Sequence, residues 1–112
     1  MASLKESIYS TISAIITTHH IKAPESATYP YCVYKLPYTV EFEERIDNVL
    51  EVDFWSYSEI DATIKSVDDA LHRLLVNDSD INAKFYRESR LDLSDEEIHR
   101  IQIKYIVQTY LK

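Results

Sequence analysis

Two periods of hydrophobic residues follow one another in the middle of the chain, between residues 48 and 76. In the first part apolar and polar residues alternate, which is the two-residue period of a strand with one buried face. This face is predicted to carry Leu50, Val52 and Phe54. In the second part apolar residues recur every three or four positions, from residue 60 to residue 75, which predicts an amphipathic helix. Because this strand and helix can bury their apolar faces against each other, we expect them to form the core.

A further amphipathic helix is predicted over residues 4–18, where isoleucines recur at helical spacing. Ser3 is a suitable N-cap, and Glu6 occupies the capping-box position that reaches back to it. His19 and His20 are expected to close this helix, since imidazolium is favourable near a helix C-terminus. Adjacent side chains diverge too far to ligate one metal ion well, so the histidine pair is not predicted to be a metal site.

Three more strands are predicted, one before the central strand and helix and two after them. The first covers residues 29–37, with prolines near both ends, where a missing backbone donor is tolerated. Residues 38–47 also alternate, and they could either extend this strand into a long hairpin or form a projecting loop. Towards the C-terminus, residues 99–111 have a clear strand pattern, and residues 83–93 a weaker one.

The predicted element order is therefore α-β-β-α-β-β. The economical packing is an α+β fold with two helices on one face of a mainly antiparallel four-stranded sheet. A chain of 112 residues is expected to form a single domain, residues 1–112, and no linker or internal repeat interrupts it.

Composition and charge exclude several function classes. The formal net charge of −7 argues against general nucleic-acid binding, which depends on basic residues that neutralise phosphates. The complete absence of glycine excludes glycine-rich phosphate loops. No apolar run approaches the roughly 20 residues that span a bilayer, and no signal-peptide pattern opens the chain, so no membrane partner is expected. The single cysteine, Cys32, is expected to be a small buried residue in a reducing cytoplasm.

No arrangement of residues predicts catalysis. Carboxylates and histidines are present, but no nucleophile or acid–base motif surrounds any of them. The acidic run at residues 92–97 could hold a hard cation weakly, yet a solvated turn is the more common structure for such a run. We therefore predict no enzyme activity, no cofactor and no metal site. The nine tyrosines either mark a protein–protein interface, where tyrosine is enriched, or simply cover the open face of the sheet.

The layout resembles the tail completion proteins, or tail terminators, of long-tailed bacteriophages. The resemblance rests mainly on YPYCVY at residues 29–34 and on VLEVDFWSYS at residues 49–58, which leads into the predicted helix. It covers nearly the whole chain in element order and length, while the C-terminal third is similar in pattern rather than in distinctive residues. The absence of glycine is a departure from the family and concerns the loops.

The resemblance implies a non-enzymatic structural protein of the virion, made in the cytoplasm of a bacterial host. Such proteins form a ring, typically hexameric, at the head-proximal end of the tail tube. The ring stops tube polymerisation and docks to the head connector or stopper protein, so the implied partners are further copies of the chain, the tail tube protein and the connector. DNA would pass through the lumen without specific binding, since an acidic lumen repels phosphates.

Candidate interface residues lie outside the predicted helix-covered core. They belong to the segment at residues 38–47, to the outward face of the central strand and to the acidic run, and they are Tyr38, Val40, Phe42, Glu43, Glu51, Asp53, Trp55, Asp92, Asp95, Glu96 and Glu97. Two alternatives stay open at this point. One is another connector or stopper component, and the other is a small α+β ligand-binding or regulatory domain with a pocket between helices and sheet.

Overall fold

A six-stranded sheet with two helices packed on one of its faces makes up the part of the chain that the computed structural model describes, residues 4–37, 39–43, 45–77 and 83–110. The elements, in chain order, are α1 Leu4–Ser13, β1 Thr18–His20, β2 Tyr31–Lys35, β3 Thr39–Glu41, β4 Arg45–Ser56, α2 Asp61–Asn77, β5 Ala83–Asp92 and β6 His99–Tyr110. Neither of these helices has the length and apolar character needed to cross a membrane.

The long strand β4 lies at the centre of the sheet. The strand order of the sheet is β1-β2-β4-β6-β5, and β3 also pairs with β4. Along one edge β4 pairs with β2 through residues 51–55 and with β3 through residues 46–48. Along its other edge β4 pairs with β6 over its full length. All of these pairings are antiparallel, as is that of β5 with β6, whereas β1 runs parallel to β2.

The predicted four-stranded sheet with the order α-β-β-α-β-β is therefore wrong. The observed order is α-β-β-β-β-α-β-β, and the sheet is mixed rather than purely antiparallel. Two additional short strands, β1 and β3, account for the difference. Each has only three residues, too few to show a period in the sequence, and each is formed by pairing with a distant strand.

The strand β1 replaces the predicted last turn of the first helix. The helix ends at Ser13 rather than at Thr18, and His20 lies in β1 instead of closing the helix. β-Branched threonines favour the extended backbone here. Ile21 then reverses the chain with a φ of 70°, and its backbone N–H donates to the carbonyl of Tyr34 at 2.9 Å.

The strand β3 continues the line of β2 along the same edge of β4, after an interruption at residues 36 and 37. Because proline has no backbone N–H, Pro37 cannot donate to the ladder at this point. β3 pairs in register with β4, with Val40 opposite Asp47. Of the two interpretations of residues 38–47, this geometry is that of an interrupted long hairpin.

The hydrophobic core lies between the helices and one face of the sheet. On β4 it contains Leu50, Val52 and Phe54, each at most 1% exposed, as their alternation in the sequence predicts. The other core residues come from both helices, the segment between α1 and β1, β2 and β6, and they are Ile8, Ile12, Ile16, Cys32, Tyr34, Ile64, Val67, Leu71, Ile103, Tyr105 and Val107. The predicted apolar stripes of the two helices thus cover a common face.

Two polar contacts lie at the margins of this core. The Tyr105 hydroxyl donates to Asp68 Oδ1 at 2.8 Å, which ties α2 to β6, and burial together with this carboxylate raises the pKa of Tyr105. The sulfur of Cys32 lies 3.5 Å from Thr18 Oγ1 on the neighbouring β1. Burial raises the pKa of the Cys32 thiol to about 11, so this cysteine is a buried, protonated core residue.

The substitution Leu50→Ala is expected to lower the free energy of unfolding by about 2–5 kcal/mol, because it leaves a cavity at the centre of the core. Urea denaturation followed by circular dichroism measures this change. Leu91→Ala is a matched control, since Leu91 is 49% exposed, and its effect should stay within about 0.5 kcal/mol. Equal losses for the two variants would contradict the assignment of the core face.

Candidate interaction surfaces

Three surfaces lie outside the helix-covered core and contain the described candidate residues. We call the sheet surface that faces away from the helices the open face, residues 39–43 the hairpin tip, and residues 92–97 the acidic turn. The hairpin tip precedes Arg45, the first residue of β4, and the acidic turn lies near Ser56, the last one, which pairs with His99. The molecule is elongated, with a longest dimension of 47 Å.

An aromatic cluster occupies the end of the open face near the acidic turn. The rings of Tyr31 and Trp55 stack with centroids 6.2 Å apart and planes inclined by 16°. The guanidinium carbon of Arg100 lies 4.4 Å from the Trp55 ring centroid. The register explains this arrangement, because Trp55 pairs with Tyr31 on one side and with Arg100 on the other. Cation–π contact of this kind is worth about 0.5–1 kcal/mol at an exposed site.

Further tyrosines extend the cluster beyond the strands. Tyr29 lies 5.3 Å from Tyr31 and 4.4 Å from Tyr57, measured between ring centroids. By contrast, Tyr34 and Tyr105 are buried under the helices. Some tyrosines therefore lie in the core and others on the open face. That the rings on the open face form a protein–protein interface stays a prediction.

Two carboxylates on the open face of β4, those of Glu51 and Asp53, are paired with basic residues on the neighbouring strands. Asp53 is only 8% exposed, and its two oxygens accept hydrogen bonds from Arg100 Nε at 3.4 Å and Gln102 Nε2 at 3.3 Å. Glu51 lies 3.3 Å from Lys35 Nζ. The predicted interface residues Glu51 and Asp53 therefore do not make this part of the open face acidic, because its cations balance them.

A depression of about 310 Å³ lies beside the aromatic cluster. Its walls are residues 21–23, which follow β1, and open-face side chains of β2, β4 and β6. Three lining residues are basic, Lys22, Lys35 and Arg100, and one is acidic, Asp53. Tyr31 and Trp55 supply its aromatic wall. Although the chain as a whole is acidic, this depression has a surplus of positive charge.

The hairpin tip has the opposite character. The backbone N–H of Phe42 donates to the carbonyl of Arg45 at 2.8 Å, which closes the turn, and the Arg45 guanidinium lies 4.7 Å from the Phe42 ring centroid. Val40 and Phe42 are nevertheless 44% and 48% exposed. Glu43 is exposed beside them. The tip is thus an exposed apolar surface among glutamates, whereas the candidate residue Tyr38 lies outside the described residues.

The acidic turn is held by hydrogen bonds to its own carboxylates. Asp92 Oδ1 accepts from the backbone N–H of Ser94 at 2.9 Å, and Asp95 Oδ1 accepts from those of Glu97 and Ile98 at 2.8 Å each. The Ser94 hydroxyl and its backbone N–H lower the pKa of Asp92, and the two backbone donors lower that of Asp95. These two carboxylates act as turn acceptors, while the side chains of Glu96 and Glu97 are exposed. Within the described residues, no group of three or more histidine, cysteine or acidic side chains is placed to hold a metal ion.

A second concavity, of about 260 Å³, lies between the start of α2 and the strands β5 and β6. It corresponds in position to the helix–sheet pocket of a ligand-binding domain. Two of its lining residues, Arg90 and Asp61, form an ion pair at 3.0 Å. Its lining thus combines apolar residues with polar groups that satisfy each other.

None of the three basic residues of the depression, Lys22, Lys35 and Arg100, is among the candidate residues predicted from the sequence. Lys22 stands in a polar loop, and Arg100 lies in β6 far from Trp55 along the chain. Their proximity to Trp55 depends on the register of β6 with β4 and on the turn at Ile21. The concentration of tyrosines around β2 is the sequence signal that points to this end of the open face.

Comparisons with known proteins identify a similar fold but no family. No protein-family model matches the chain, and no curated protein matches it. Among solved structures, a chain of the virion of a native gene transfer agent particle is similar, with a TM-score of 0.60 and 12% identity. The similarity covers 97% of this chain and 96% of that chain. At this level of identity the likeness shows a shared fold over nearly the whole length of both chains.

Native Asp92 and Asp95 are expected to titrate at lower pH than in the urea-unfolded chain, because folding supplies the donors that stabilise their charged forms. Carboxyl-carbon NMR titration measures both midpoints. Since the folded pKa values are lowered, the resulting stabilisation is present above the unfolded pKa values and is lost as the pH falls through the folded ones. Ser94→Ala should raise the Asp92 midpoint while leaving that of Asp95 in place. Identical native and unfolded midpoints would contradict the turn.

Proposed function

We propose that this chain is a structural protein of a phage-type virion, and more specifically a tail terminator. In this role it forms a ring at the head-proximal end of the tail tube, stops tube polymerisation and joins the tail to the head connector. The observation that carries the proposal is the fold shared with a chain of the gene transfer agent virion over 97% of this chain. The tail-completion resemblance at residues 29–34 and 49–58 supports the finer assignment.

The distribution of surfaces supports a role in assembly. Both helices lie on one side of the sheet, so the open face is available for contacts with other subunits. The hairpin tip carries exposed apolar side chains, and exposed apolar surface of this kind is typical of a site that becomes buried when proteins associate. The net charge of −7 is compatible with passage of DNA through a ring without specific binding. The proposal assigns no catalytic role to any residue.

The purified protein is expected to form a closed ring, either alone at high concentration or on tail tubes assembled from the tube protein of the same virion. Native mass spectrometry gives the number of subunits, and negative-stain electron microscopy shows a cap at one end of the tube. Capped tubes should no longer elongate when more tube protein is added.

Two outcomes would contradict this assignment in different ways. Binding to isolated connectors but not to tubes would identify a connector or stopper component instead of a terminator. A protein that stays monomeric alone, with tubes and with connectors would exclude the virion-joining role altogether.

Phe42→Asp is expected to block assembly while leaving the monomer folded, because Phe42 is 48% exposed and lies outside the core. Light scattering measures the assembly, and thermal unfolding followed by circular dichroism tests the fold. Tyr9→Asp is a matched control on the helix side, where Tyr9 is 43% exposed, and it should still assemble. If Phe42→Asp unfolds the monomer, the hairpin tip is part of the core rather than a projecting segment.

A further inference from the structure

We propose that the hairpin tip of one copy of this chain docks into the basic, aromatic depression on the open face of the next copy. This contact is head-to-tail, because the two surfaces differ in residues and lie at different ends of β4. It rests on the proposed self-assembly and names the surfaces that would make it.

Charge complementarity is the first argument for this pairing. Lys22, Lys35 and Arg100 line the depression, against one carboxylate, that of Asp53. Arg100 pairs with Asp53, and Lys35 pairs with Glu51 on the same face. Lys22 has no ion pair with any of the described residues, so the depression presents the positive charge of Lys22. The hairpin tip presents Glu41 and Glu43, both exposed. Opposite charges of this kind suit an interface, whereas tip-to-tip contact would bring glutamates together.

Chemical complementarity is the second argument. The exposed Phe42 ring of the tip would face the stacked rings of Tyr31 and Trp55. Aromatic pairs contribute about 0.5–1.5 kcal/mol beyond their buried area. The depression, of about 310 Å³, lies at the lower end of the usual range of binding pockets, roughly 300–1,000 Å³. One phenylalanine with its flanking residues is therefore an occupant of suitable size and character.

The position of the two surfaces is the third argument. Arg45, beside the tip, and Trp55, at the depression, are ten residue steps apart along β4, which corresponds to about 33 Å at the usual rise of a strand. A rigid β4 keeps a subunit from filling its own depression, so each copy offers one free tip and one free depression. Such heterologous contacts close into a ring when the rotation between subunits permits it.

Mixing two defective variants tests the head-to-tail arrangement. Phe42→Asp keeps the depression intact, and Lys22→Glu combined with Trp55→Ala keeps the tip intact. Each variant alone is expected to be monomeric. A mixture should form a one-to-one dimer, because the intact tip of one variant can bind the intact depression of the other. A mixture that stays monomeric, while the wild type forms rings, would overturn the proposal and leave the proposed function standing. Rings formed by the Lys22→Glu, Trp55→Ala variant alone would likewise overturn the proposed contact and leave the proposed function standing.

Disulfide trapping detects the contact even if the wild type associates only weakly. Glu43→Cys and Ala23→Cys proteins are mixed under oxidising conditions, and heterodimers are separated on a non-reducing gel; Ala23 lines the depression, and its replacement keeps Lys22. Native Cys32 is buried and its pKa is raised, so it should not contribute. The heterodimer yield should exceed that of Glu43→Cys with Lys65→Cys, an exposed control on α2, by about tenfold. Adding Phe42→Asp to the Glu43→Cys protein should lower the heterodimer yield to that of the control pair. Equal yields for both pairs would overturn the contact.

Discussion

Burial of one face of β4 beneath the two helices is the constraint on which the rest of the structure depends. Leu50, Val52 and Phe54 are almost fully buried there, and each such side chain contributes about 1.5–3 kcal/mol relative to exposure. Because successive strand residues point to opposite faces, this burial places Asp53 and Trp55 on the open face. The residues of that face are thus set by the core before any partner is considered.

The neighbouring strands then decide the electrostatic character of the open face. Lys35 on β2 pairs with Glu51, and Arg100 on β6 contacts both Asp53 and the Trp55 ring. The negative charges of Glu51 and Asp53 are therefore balanced by neighbouring basic residues, and a basic depression forms in an acidic chain. Exposed acidic side chains lie elsewhere, among them those of the hairpin tip and the acidic turn. This separation of charge along one elongated subunit is what makes a directional contact between copies physically reasonable.

The fold alone does not establish a function, since one fold can serve many. Here the similarity to a chain of the gene transfer agent virion covers almost the whole molecule. The surfaces add an independent argument, because an exposed apolar tip and an aromatic depression are features of a protein that associates. We propose assembly of a virion structure because this function would account for both the fold and these surfaces.

The sequence by itself determined the faces of several long elements: the buried sides of β4 and β6, the stripe of α2 and the burial of Cys32. These follow from local periodicity, which each element carries in its own residues. Only the tertiary structure decided the short strands β1 and β3, whose extended backbone is stabilised by pairing with β2 and β4. It also decided the register that brings Tyr31, Trp55 and Arg100 together. Strand pairing is a contact between distant parts of the chain, and a local pattern contains no information about which residues it will join.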